Sequence, residues 1–208
     1  YLGHNLSDHL SSKIASIDNN QKNKIIQNYS PFFENKWMKN HRFILSNTQL
    51  SRRGYGQFIF NLNEDFYNFL RDFIKNLQEK KYFKVNINRG ITNIPSLFKI
   101  AYYYYIKSRL FISSDTDIHF QYDIEQEPNF DNKVFLTNEK DEYGRLIPKI
   151  NWSIKDKDLE NISISSSKFL KKWNNINSLP KLYKTDIGVN NINDAYHPVG
   201  ICSMGPTS

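Results

Sequence analysis

The chain has 208 residues, 39% hydrophobic and 15% aromatic, which is enough apolar side chain to bury a core and too much for a disordered segment. Its formal net charge is +7, but the lysines are spread out, the densest groups being pairs such as Lys80-Lys81 and Lys171-Lys172; this reads as a solvated basic surface, with no nucleic acid expected as a partner. No apolar run approaches the ~20 residues of a membrane span, and the single cysteine, Cys202, excludes an internal disulfide and a thiolate metal cluster and is read as a packed thiol.

In chain order, residues 1–10 form a polar entry segment in which Asp8 suits a capped turn. His4 and His9 are five apart and do not share a helical face as a zinc-binding pair would. The sequence opens on Tyr1 with no basic-then-apolar start, so it reads as cut at both ends; its localisation is left open, the cytoplasm being the default. Residues 12–17 alternate as a short strand does, while 19–40 read as polar and irregular, with Phe32, Phe33 and Trp37 as expected buried anchors and Tyr29-Ser30-Pro31 stopping any helix. Residues 42–45 and 57–62 are expected strands, joined through a turn-bearing connection at 51–56. The Gly54-x-Gly56 pair there lacks the third glycine and the helix start of a phosphate loop.

The clearest helix is expected over 63–81, where Phe66, Phe69, Leu70, Phe73, Ile74 and Leu77 form one apolar stripe. Pro95 opens a second expected helix reaching Leu110, whose run Tyr102-Tyr103-Tyr104-Tyr105 must leave some hydroxyls facing solvent. Residues 117–124 alternate as a half-buried strand; Asp115, Asp117 and His119 share one side of it and read as solvated, so no metal is expected. Strands follow at 133–137 and 147–154 with Gly144 in the turn between them, then a helix over 156–176, and beyond Pro180 the chain is expected to be loop. Mixed helices and neighbouring strands, with no repeat and no linker, make α+β the expected fold class.

The residues that carry chemistry lie near the end, in Asp194-Ala195-Tyr196-His197-Pro198-Val199-Gly200-Ile201-Cys202-Ser203-Met204-Gly205. Pro198 pushes His197 towards an extended backbone, and Gly200 and Gly205 suit tight turns or close approach to a bound group. This run resembles the histidine motif of the glucose–methanol–choline (GMC) flavin oxidoreductases, His-Pro-x-Gly-Thr-Cys-x-Met-Gly, with Ile201 where threonine is usual. Gly3-x-Asn5-x-x-Asp8-His9 is similar to the segment where that family's chain leaves the flavin domain. Glu125-Gln126-Glu127-Pro128-Asn129-x-x-Asn132-x-Val134-x-Leu136, followed by Asp141-x-x-Gly144, resembles the middle of its substrate domain. The three stretches occur in the family's order.

The resemblance implies a largely antiparallel sheet of about six strands with helices on one side. It divides the chain into a hinge segment (1–10), a substrate-binding domain (11–193) and the catalytic-histidine motif returning to the flavin domain (194–208). It also implies FAD as cofactor, an alcohol or sugar-like small molecule as substrate, His197 as catalytic base, Tyr196 lining the substrate cavity, and Asn5, Asp8, His9 and Gly200 close to the cofactor. The chemistry agrees: oxidising an alcohol removes a hydroxyl proton, which an imidazole with its ordinary pKa of ~6.5 accepts near neutrality, and a hydride, which no side chain accepts. None of the eight glycines forms the Gly-x-Gly-x-x-Gly that seats a dinucleotide, so the chain alone is expected not to hold FAD. The alternatives are a non-catalytic basic binding module and a degenerate member of the family, the oligomeric state being open.

Overall fold

The computed structural model describes residues 3–35, 37–44, 54–62, 98–186, 192–194 and 197–201. The helix expected over 63–81, Tyr196 and Cys202 lie outside the described residues. The elements are β1 (His9–Ile17), α1 (Lys22–Tyr29), β2 (Phe32–Glu34), β3 (Trp37–Lys39), β4 (Phe43–Ile44), β5 (Gly54–Asn61), β6 (Asp117–Glu125), β7 (Lys133–Lys140), β8 (Leu146–Asn151), α2 (Asp156–Asn174), β9 (Leu182–Lys184) and β10 (Ile192–Asp194). Residues 98–105 are also helical.

The fold is α+β, as expected. A six-stranded antiparallel sheet runs β10-β1-β6-β5-β4, with β9 paired to β1. The strands expected at 133–137 and 147–154 form a separate hairpin, β7–β8, and the sheet instead takes in β9 and β10, from a stretch expected to be loop. Among the described residues no helix is long and apolar enough to cross a membrane. The chain divides into two compact units: Tyr1–Ser16, Phe43–Gly56 and Phe120–Ser208 form the first, Ile17–Arg42 and Gln57–His119 the second.

In the first unit, β6 buries Phe120, Tyr122 and Ile124 on its alternating face. Against it lies α2, whose Ile162, Phe169, Leu170 and Trp173 recur at helical spacing and are all buried. Phe120 stacks on Phe169 at 5.5 Å, and Phe43 meets the Trp173 ring edge-on at 4.8 Å. Burying each such side chain contributes roughly 1.5–3 kcal/mol. The residues expected to turn at 54–56 belong instead to β5. A Cβ on Gly54 would lie 2.6 Å from the Tyr122 hydroxyl, and one on Gly56 would strike the Phe120 ring, so here glycine admits aromatic rings against a strand.

The short strand β9 is placed by Asn174 at the end of α2. Its side-chain amide donates to the Leu182 carbonyl at 2.8 Å and its oxygen accepts the Leu182 N–H at 2.9 Å. The Trp173 indole donates to the Pro180 carbonyl at 2.7 Å, which fixes the same return. At the tip of β7–β8, Asp141 accepts the N–H groups of Tyr143 and Arg145, both at 2.9 Å. These bonds, the Arg145 N–H foremost, together with the Arg145 guanidinium, hold the Asp141 carboxyl below the usual carboxylate range.

In the second unit, part of the stretch expected to be irregular is helical. A 3₁₀ turn, Asn19–Gln21, is capped by the Asp18 side chain, which accepts the Asn20 N–H at 2.9 Å, and α1 follows. The helix stops at Ser30, extended ahead of Pro31, as the sequence led one to expect. Its only fully buried side chain is Ile25, too little periodicity to read. Trp37, expected to be an anchor, is 75% exposed on the β2–β3 ribbon, while Phe32 and Phe33 are half-buried. The helix expected to reach Leu110 ends at 105, because 109–110 turn back onto β2: the Leu110 N–H donates to the Pro31 carbonyl at 2.8 Å and that of Phe33 to the Ser108 carbonyl at 2.8 Å.

Candidate functional site

The three stretches that carry the family resemblance meet in the first unit, around residues 3–8. Ser7 and Val199 exchange both backbone hydrogen bonds, at 3.0 and 2.9 Å, and the Gly3 N–H donates to the Ile201 carbonyl at 2.8 Å. The same segment also bonds to the middle stretch: Leu6 N–H to the Asn132 carbonyl (2.8 Å), Val134 N–H to the Gly3 carbonyl (2.8 Å) and Gln126 N–H to the Asp8 carbonyl (3.0 Å). Residues 3–8 are thus shared between the histidine motif and the middle motif, which satisfies backbone groups that would otherwise be lost to burial.

Within this crossing Leu10 faces Asp194 and Ser7 faces Val199. Asp8 lies between these two pairs. Its buried carboxylate accepts the His9 N–H at 2.6 Å and the His197 N–H on both oxygens, at 3.1 and 3.2 Å. Charge-assisted bonds of this kind are about twice as strong as neutral ones. They fix the backbone from which the exposed His197 side chain projects. The rings of His9 and His197 lie 6.3 Å apart, edge to face at 73°. Among the described residues neither imidazole is engaged in a hydrogen bond.

Close approach of the two strands sets the residue types here. Gly200 has φ +88°, and a Cβ on it would strike the Asn5 carbonyl oxygen. Asn5 itself is left-handed at φ 61°, a conformation asparagine tolerates better than most residues. The site residues named from the sequence therefore divide plainly. Asn5, Asp8, His9, His197 and Gly200 come together at one crossing, and Tyr196 lies outside the described residues.

A polar network supports the crossing. The Gln126 side chain donates to the Ser153 carbonyl (2.9 Å) and the Asp158 carboxylate (3.3 Å), and accepts the Trp152 indole N–H (2.8 Å). Asn132, fully buried, donates to the Ser153 carbonyl (3.1 Å) and accepts the Ser153 N–H (3.0 Å). Asp158 takes the backbone N–H groups of Glu127 and Lys155, both at 3.1 Å. Asp158, Trp152 and Ser153 carried no mark in the sequence reading. The available signal was an acid three residues into a helix, the position from which a side chain reaches back to the entering backbone.

No protein-family model matches the chain, and it matches no curated protein and no solved structure.

Proposed function

We propose that this chain is the substrate-binding portion of an FAD-dependent oxidoreductase of GMC type that oxidises a CH–OH group of an alcohol or sugar-like substrate. One observation carries the reading: of three stretches far apart in sequence, each resembling a different part of that family, the first is bonded to both of the others at a single crossing from which His197 projects. An accidental resemblance in three places gives no reason for the three places to meet.

The residues present fit the flavin end of the cofactor. An exposed imidazole on a backbone fixed by a buried carboxylate, with a second imidazole edge-on to it, offers a proton acceptor whose ring is not already spent. They do not provide for the diphosphate, since the sequence has no Gly-x-Gly-x-x-Gly, and a nucleotide-binding part must supply that. When bound, FAD would take up the hydride. His197 would accept the hydroxyl proton, Asp8 would hold the His197 backbone in register, and Tyr196 would line the substrate cavity. Gly200, with no Cβ, lets the two strands approach at the Asn5 carbonyl.

The test is to express the complete gene product and follow alcohol-dependent reduction of an artificial electron acceptor. His197→Ala should lower kcat by about 10²–10⁴-fold with the flavin absorbance unchanged, and this chain alone should carry no stoichiometric flavin. A complete gene product without flavin, or an unchanged rate in His197→Ala, would sink the reading. Flavin without turnover would identify the degenerate member, and polyanion binding that collapses with salt, without flavin, the basic module.

A further inference from the structure

We propose that the second unit carries a binding site for an anionic small molecule, a phosphate or sulfate ester on an aromatic or apolar body. The site is a cavity of about 690 Å³ between α1 and residues 99–114. That is the size of small-molecule sites, ~300–1,000 Å³. None of its residues belongs to the crossing around His197, and the inference is independent of the oxidoreductase reading.

Charge is the first argument. Lys99, Lys107 and Arg109 all line the cavity, and no aspartate or glutamate does so among the described residues. Three cations around one concavity repel one another, and an anion relieves that repulsion. Nearby His41, whose Nε2 lies 3.2 Å from the Asn28 carbonyl, has its pKa lowered by burial first and then by the charge of Arg109.

Preorganisation is the second argument. Nη1 of Arg109 donates to the carbonyl oxygens of Asn28 (3.4 Å) and Ser30 (3.2 Å) and to the Ser30 hydroxyl (3.4 Å). Its backbone is pinned by the bridge to Phe32. The guanidinium is therefore held in one pose by one nitrogen, and among the described residues Nε and Nη2 have no acceptor. A fork with spare parallel donors is the arrangement that grips an oxyanion. Capping the end of α1 would account for Nη1 alone; the Lys107 ammonium also stands 5.8 Å over the Tyr102 ring, and Lys99 is left without such a role.

The wall is the third argument. The half-buried rings of Tyr103 and Phe111 stand edge to face at 5.4 Å on the cavity lining, with buried Ile112 beside them. This offers an apolar surface to the body of a ligand whose charged end meets the cations.

The experiment is a calorimetric titration of the 208-residue chain with phenyl phosphate, alongside phenol, inorganic phosphate and vesicles with anionic headgroups. Phenyl phosphate should bind more tightly than either phenol or inorganic phosphate. The double substitution Lys99→Glu, Lys107→Glu, at two exposed positions, should weaken it by about tenfold or more with the circular dichroism spectrum unchanged. Arg109→Lys, which keeps the charge and removes the fork, should also weaken it. No heat from phenyl phosphate, equal affinity for phenol, equal affinity for inorganic phosphate, vesicle binding without phenyl phosphate binding, or an unaffected double variant would each overturn the proposal.

Discussion

Two regions of the first unit are held together by opposite means. Beneath α2, Phe43, Phe120, Phe169 and Trp173 form a cluster with ring centroids between 4.8 and 6.2 Å apart. Its cohesion is non-directional and scales with buried area, so it supplies stability without dictating where any one atom must lie. Around residues 3–8 buried Leu6 sits beside buried polar Ser7 and Asp8. Position is set by backbone pairs and by the carboxylates and amides of Asp8, Gln126, Asn132 and Asp158, each bond having a length and a direction. A side chain that has to be aimed, as the proposed proton transfer would require of His197, is better served by the second kind of region.

The largest effect that separates the two is expected from Trp173→Ala. It empties a buried site and should cost about 3–5 kcal/mol in urea denaturation. Asp8→Ala comes next. It strands the part-buried N–H groups of His9 and His197 beside a lost carboxylate and should cost about 1–3 kcal/mol in all. Hydrogen exchange sharpens the contrast, because Asp8→Ala should free the Ser7 and Val199 amides while the α2 amides stay protected. Equal loss of protection in both places would mean that the crossing is not a separate unit of organisation. Asp8→Asn, which keeps an acceptor, should fall between wild type and alanine.

The smallest effect is pH dependence. Tyr122 lies within the aromatic region, 5.5 Å from Phe169, and burial pushes its phenol up to about 12. Below the ordinary tyrosine pKa of ~10 both folded and unfolded chains carry the neutral phenol, so the full stability is present there. As pH rises from ~10 towards 12 only the unfolded chain ionises, and stability falls. Denaturation midpoints at pH 9 and pH 11 should converge between Tyr122→Phe and wild type at the lower pH and diverge at the higher, with wild type the weaker. Parallel curves would show that Tyr122 is not shielded from solvent as the fold implies.

The same contrast explains what could be read in advance. The aromatic region announces itself by period: Phe120, Tyr122 and Ile124 alternate, and Ile162, Phe169, Leu170 and Trp173 return every three or four residues, so strand and helix were both legible. The strands β9 and β10 have three residues each and no period, and their places are set by Asn174 and by pairing with β1, contacts that sequence spacing does not express. Gly54 and Gly56 looked like turn residues because glycine usually marks one; here they make room for the rings of Tyr122 and Phe120. Trp37 failed as an anchor because a two-stranded ribbon leaves a face in solvent. At the candidate site the residue types of Asn5, Asp8, His9, His197 and Gly200 could be named, but the bonds from the His197 N–H to the Asp8 carboxylate could not, since they arise only when two distant segments are laid side by side.

That distance has a kinetic consequence. His197 and Asp8 are 189 residues apart, so closing their contact loses the conformational freedom of a very long loop. Such contacts form after local helices and hairpins have condensed, because loop closure must come before they contribute any stabilisation. The Phe120, Phe169 and Trp173 part of the cluster closes a much shorter loop and is expected to assemble while the crossing is still open. The crossing and the ring cluster are thus expected to open separately, and hydrogen exchange at the Ser7 and Val199 amides would report the opening of the crossing while the rings of Phe120, Phe169 and Trp173 stay packed.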